Sequence, residues 1–192
     1  SPTEGAGIGP FPCVSLEEAP MGDVETLIER YGDQQIRAER KGYRDEHGAF
    51  IRHGTSTCWH PDGRKSRTEE YVHGKLHGKR LEWHRGGAVK SEGEYEEGRL
   101  QGKYREWKED GGLVKEEEYR NGKKHGVCFD YYEDGAIFTE YPYVEGNLHG
   151  PGKLWLRGGM KIAEVEYVNG EEVPGSRWID EKLRKVLEKQ GE

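Results

Sequence analysis

The apolar side chains of this chain do not gather in runs. They return at fixed offsets. Tyr71, Tyr95, Tyr119, Tyr143 and Tyr167 follow one another every 24 residues, and a second aromatic column, Trp83, Trp107, Tyr131 and Trp155, keeps the same step. Glycines keep time with both columns. Gly74, Gly98, Gly122, Gly146 and Gly170 stand three residues after each tyrosine, Gly78, Gly102, Gly126 and Gly150 four residues later, and Gly87, Gly111, Gly135 and Gly159 close each unit. Such self-similarity marks a repeat architecture, in which each unit buries its apolar face only by stacking on its neighbours. An irregular first unit precedes these: Gly54, Trp59 and Gly63 are in step, while its tyrosine is Tyr43, set back by an insertion between Arg44 and His53. The pattern runs for five units and a half-unit, and breaks at Pro174 and Gly175.

Each unit reads as two short strands, over 89–95 and 137–143 for the first and 103–108 and 127–132 for the second. Asn121-Gly122, Asn169-Gly170, Asp62-Gly63 and Asp134-Gly135 join them, with Gly86-Gly87 and Gly158-Gly159 in the same role. Asn-Gly and Asp-Gly are strong hairpin signals because the turn needs positive φ. Glycines this frequent leave no room for long helices. Side chains alternate between faces along a strand. The repeated Tyr and Trp, with Leu81, Phe129, Ala163 and Val165, fall on odd numbers; Glu92, Glu94, Glu106, Glu116, Glu118, Glu140, Glu164 and Glu166 fall on even ones. Val114, Phe138 and Ile162 are exceptions near strand starts. If no bulge intervenes, one face is an aromatic stripe and the other a solvated charged face. The expected fold is an all-β repeat: an elongated single-layer antiparallel sheet of stacked β-hairpins, about eleven strands at roughly 4.8 Å and on the order of 50 Å long.

The ends read differently. Residues 1–22, rich in Gly and Pro, form a tail or linker. Residues 23–32 suggest a short helix, with Asp23 as N-cap, Val24, Leu27, Ile28 and Tyr31 on one face and Gly32 as its stop. The repeat domain takes 33–175. Residues 176–192 suggest a C-terminal helix with Ile179, Leu183, Val186 and Leu187 on one face. Both helices are expected to cap open sheet edges.

Composition sharpens this picture. The 192 residues are 32% hydrophobic and 35% charged, which excludes a thick two-layer core. The net charge of −7 and the lack of a basic block disfavour nucleic acid and anionic membrane. Three cysteines, Cys13, Cys58 and Cys128, make no disulfide framework and favour a reducing, cytoplasmic setting. The chain begins Ser1-Pro2 without methionine, as a segment of a longer protein would.

Catalytic chemistry is hard to find. His53, His77, His125 and His149 form a column with Gln101 in its gap. Neighbouring units lie about 9.5 Å apart, too far to share a metal whose ligand bonds are near 2 Å. Local packing or hydrogen bonding is the expected role. Cys58 and His60 share a strand face but lack a third, orienting group. No phosphate loop, zinc-binding helix or nucleophile elbow occurs. No catalytic residue, metal or cofactor is expected. The aromatic columns are the candidate site: Trp59, Trp83, Tyr95, Trp107, Tyr119, Tyr131, Tyr143 and Trp155 would line a groove for a partner segment, with acidic rims selecting a basic one.

The string from Tyr119 to Gly126, Tyr-Arg-Asn-Gly-Lys-Lys-His-Gly, resembles the core of MORN repeats, and 71–78, 95–102 and 143–150 resemble the same unit. The 24-residue step and the Asp-Gly between units are similar to the longer MORN variant of bacterial proteins, as in antitoxins of toxin–antitoxin pairs. The insertion before His53 and Gln101 in place of His depart from the pattern. The resemblance covers about residues 43–172 and implies a non-catalytic protein-interaction module or scaffold, with an antitoxin that binds a toxin as its sharpest form. The alternative it implies is an accessory or targeting domain of a larger protein that contacts phospholipid.

Overall fold

In the computed structural model, which describes residues 23–32 and 34–182, the backbone forms one open sheet of 16 strands. In chain order the strands are β1 (Glu25–Arg30), β2 (Ile36–Arg44), β3 (Phe50–Trp59), β4 (Lys65–Val72), β5 (Lys75–Trp83), β6 (Val89–Glu96), β7 (Arg99–Trp107) and β8 (Leu113–Arg120). They continue as β9 (Lys123–Lys124), β10 (Gly126–Tyr131), β11 (Ile137–Val144), β12 (Asn147–Leu148), β13 (Gly150–Trp155), β14 (Lys161–Val168), β15 (Glu171–Glu172) and β16 (Trp178–Ile179). Every pairing is antiparallel and between neighbours in the meander, so the sheet is the expected stack of hairpins.

Two turn types alternate. At the first, His73, Glu97, Asn121, Glu145 and Asn169 have φ of 46–53° and are each followed by a glycine at positive φ. Two successive positive-φ residues make the two-residue turn whose twist matches the strands it joins. Units are tied here: the amides of Gly98, Gly122, Gly146 and Gly170 donate to the carbonyls of Leu76, Leu100, Lys124 and Leu148 of the preceding hairpin, each at 2.8 Å. Asn accepts this conformation far better than Glu. Glu145→Asn should therefore raise unfolding stability by about 0.5 kcal/mol, and Asn121→Ala should lower it by about 1 kcal/mol. Thermal unfolding of the two variants checks the opposite signs.

The second device is a pair of bulges in each unit. One sits at the second glycine: between Gly93–Tyr104 and Glu94–Gln101 the partner strand carries two extra residues, and Gly102 takes φ 74°. The other lies at the start of each first strand. Glu82 pairs with Ser91 but Trp83 with Val89, which leaves Lys90 unpaired, and Ser66, Val114, Phe138 and Ile162 are skipped in the same way. The even-numbered exceptions Val114, Phe138 and Ile162 are thus bulge residues.

Bulges overturn the simple odd–even division. Cross-strand partners share a face, and one unbroken row runs Ala38, Cys58, Arg67, Glu82, Ser91, Glu106, Lys115, Asp130, Thr139, Leu154, Ala163. From β4 onward it takes odd residues from first strands and even ones from second strands. The repeated tyrosines lie on this face, with Ala163 and Val165. Leu81 and Phe129 point to the other face, opposite Glu92 and Glu116. The most buried side chains, among them Ala38, Ser56, Glu69, Tyr71, Ser91, Glu117, Cys128 and Thr139, belong to the tyrosine face.

Both terminal helices need correction. The expected helix over 23–32 is strand β1, paired to β2 from Glu25–Gly42 to Arg30–Ile36. So short a helix does not recover its nucleation cost, whereas the open edge of β2 offers a ready ladder. Val24, Leu27 and Ile28 remain 52, 37 and 46% exposed. At the other end, Trp178 and Ile179 of the expected helix 176–192 pair with Glu164 and Ala163 of β14. Helical backbone begins only at Glu181–Lys182, where the Asp180 carboxylate accepts from the Lys182 amide at 3.0 Å. The expected tail over 1–22, with Cys13, and residues 183–192 of that helix lie outside the described residues.

Candidate functional site

The tyrosine face is more polar than an aromatic stripe. Glu117, 8% exposed, accepts from the Tyr119 hydroxyl at 2.9 Å and pairs with the Lys124 ammonium at 2.7 Å. Burial works to raise its carboxyl pKa, but these two partners outweigh it and hold it below the ordinary range. The Tyr119 hydroxyl is pushed strongly upward, by burial first and then by the Glu117 carboxylate. Glu69, 4% exposed, accepts from the Tyr71 hydroxyl at 3.1 Å and lies between Arg67 at 3.2 Å and Arg80 at 3.6 Å. Both glutamates stand two residues before a repeated tyrosine, and that offset was the sequence signal for them.

Where the tyrosine face carries glycine, rings fill the space. A Cβ at Gly152 would lie 2.5 Å from the Tyr141 ring and 3.0 Å from Tyr167. At Gly93 the neighbours are Leu100, Tyr104 and Tyr95, and a shallow notch opens beside them.

The opposite face is a charge ladder. Arg105 donates to Glu116 at 2.6 Å and to Glu92 at 3.0 Å, Lys103 reaches Glu116 at 2.9 Å, and Lys153 reaches Glu140 at 2.6 Å. An open groove of about 320 Å³ runs over it between Lys79, Leu81, Glu94 and Lys103. Glu94 and Glu118, also on this face, carry no ion pair among the described residues.

The predicted site residues do not form one groove. All eight are half-buried. Tyr95, Tyr119 and Tyr143 line the polar tyrosine face. Tyr131 stacks near Phe129, centroids 6.3 Å apart, and burial with the nearby Glu116 raises its hydroxyl pKa. Trp59, Trp83, Trp107 and Trp155 stand at the hairpin ends, where their carbonyls accept from Tyr31, His60, His84 and Tyr132 at 2.9, 3.3, 2.8 and 2.9 Å. A carbonyl only accepts, so Nε2 of His60 and His84 carries the proton. This inter-unit ladder was missed, although three of its donors, His60, His84 and Tyr132, directly follow the aromatic column. Trp59 and Trp83 also wall a groove of about 370 Å³ at the β1 end of the sheet.

The histidine column caps turns. His53 Nδ1 accepts from the His73 amide at 3.5 Å, and Gln101 fills the same place by accepting from the Asn121 amide at 2.9 Å. His77 and His125 sit 3.9 and 3.7 Å from Glu97 and Glu145. Burial, then the adjacent His73, lowers the His53 pKa. Burial likewise pushes the Cys128 thiol up, away from the reactive thiolate. Among the described residues, no three His, Cys, Asp or Glu side chains converge in a metal-binding arrangement.

Residues 76–97, 100–121 and 124–145 match the MORN repeat variant. These three consecutive matches coincide with successive hairpin units of the sheet and support the reading of the array as MORN repeats. Repeats of this family are interaction modules for proteins or membranes and are not enzymes. No curated protein matches the chain.

Proposed function

We propose that this chain is a non-catalytic module that holds a protein partner on its open sheet. One observation carries the reading: the sheet is a single layer whose aromatic columns stay half-buried with no second layer over either face among the described residues. Half-covered Tyr and Trp at regular spacing supply the rigid apolar contact that binding surfaces use. The sharper form is an antitoxin that occupies a toxin. Its support is the likeness of the 24-residue unit to that variant of the repeat, and the unpaired carboxylates Glu94 and Glu118 would meet a basic segment of such a partner.

Wild-type protein and a Trp83→Ala/Trp107→Ala variant, immobilised on beads, test the reading in lysate of the source organism. Wild type should retain a stoichiometric protein, and the variant should hold it at least about tenfold more weakly with its circular dichroism unchanged. Binding and fold lost together would remove the tryptophans from the site. Retention of anionic vesicles without any protein would replace a protein partner with a lipid one.

A further inference from the structure

The groove at the β1 end differs from the rest of this acidic molecule. Four cations line it, Arg37, Arg40, Arg67 and Lys90, against one carboxylate, Glu82, which Arg80 already engages. Arg40 has Glu29 and Arg67 has Glu69, but Arg37 and Lys90 are exposed and have no acidic partner among the described residues. Donors outnumber acceptors on the groove floor. The Nε atoms of Arg40 and Arg67 are buried without a hydrogen-bond acceptor; the latter is near Glu69 but poorly aligned to it. Tyr31, Trp59 and Trp83 add aromatic walls.

We propose that this groove receives an acidic segment of the partner protein, its carboxylates laid in series along the cations. The inference rests on the interaction-module reading and names the chemistry of one part of the partner. Spacing favours a chain over a single anion: Arg37 on β2 and Lys90 on β6 are four strands apart, roughly 19 Å in the sheet, the reach of about six extended residues. A lone phosphate would need those cations to converge. A nucleic acid or an anionic bilayer would face the whole molecule's −7 charge, whereas a short peptide meets only the local field. The aromatic walls suit apolar side chains placed between the carboxylates.

The probe is a fluorescein-labelled hexaglutamate peptide with a central tyrosine, titrated by anisotropy against the full chain. Saturable binding is expected, weakened at least about tenfold by Arg37→Glu/Lys90→Glu and by raised salt, with circular dichroism unchanged because both side chains are exposed. Equal binding by that variant overturns the proposal, as does absence of binding to wild type. Competition by inorganic phosphate alone, or capture of phosphatidylserine vesicles in place of the peptide, also overturns it. Should the charge-reversed variant still hold the lysate partner as tightly as wild type, the groove assignment fails while the interaction module stands.

Discussion

Replacing Glu117 by alanine is expected to cost about 3 kcal/mol of unfolding free energy. The carboxylate is nearly inaccessible, and its removal strands the Lys124 ammonium, which is only 34% exposed and also lies 5.1 Å from the Tyr143 ring. The Tyr119 hydroxyl loses its acceptor as well. Breaking one side of a buried pair costs more than the pair contributes, because the remaining charge stays desolvated. Glu117→Gln should cost less, since an amide oxygen still accepts from Tyr119. The same residue shapes the response to acid. Its folded carboxyl ionises at lower pH than the unfolded one, near 4.5, so its contribution is complete above that value and drains as pH falls through the folded value. Urea unfolding of wild type and Glu117→Gln at neutral and acid pH reads this directly. The gap between them should be widest at neutral pH and close in acid. A constant gap would mean that the Glu117–Lys124 pair contributes nothing.

Gly152→Val should be the most damaging change on the tyrosine face after that, at about 2 kcal/mol or more. Gly152 has ordinary backbone angles, so its role is not conformational freedom. Tyr141 and Tyr167 pack over it, with ring centroids 6.3 Å apart, and any Cβ would fall within 2.6 Å of two Tyr141 ring atoms. Gly93 offers the control. There the tightest neighbour of a new Cβ is the Leu100 methyl at 3.0 Å, followed by Tyr104 at 3.2 Å, and a leucine can change rotamer. Gly93→Ala should therefore cost less than Gly152→Ala in thermal unfolding. Equal losses would show that ring packing over Gly152 is not what requires the glycine there.

These two sites show how far local reasoning reached. The 24-residue step, the Tyr-x-x-Gly turns and the low apolar content were enough for a one-layer meander of hairpins. Each of those signals acts within a few residues: a turn needs positive φ, and a strand needs alternation. The site was less legible. The eight aromatics expected to line one groove are all half-buried, but they divide between faces and hairpin ends. The offset that buries Glu69 and Glu117 two residues before a tyrosine was present in the sequence, yet abundant glutamate elsewhere made it look like solvated surface. The segments 23–32 and 176–180 misled because apolar spacing over so few residues suits a helix and a strand alike, and an open sheet edge decides between them.

The sequence by itself determined the repeat, its period, the placing of its turns and the antiparallel single layer, because all of these follow from contacts along one hairpin. Only the tertiary structure decided which side chains share a face. One-residue bulges such as Lys90 shift the register and reassign side chains between the faces, while the two extra residues at each of Gly78, Gly102, Gly126 and Gly150 offset the ladder and keep the face. Register is a property of paired strands and not of either one alone. It is register that sets Glu117 beside Lys124, and that gathers Arg37, Arg40, Arg67 and Lys90 from three strands into one basic groove.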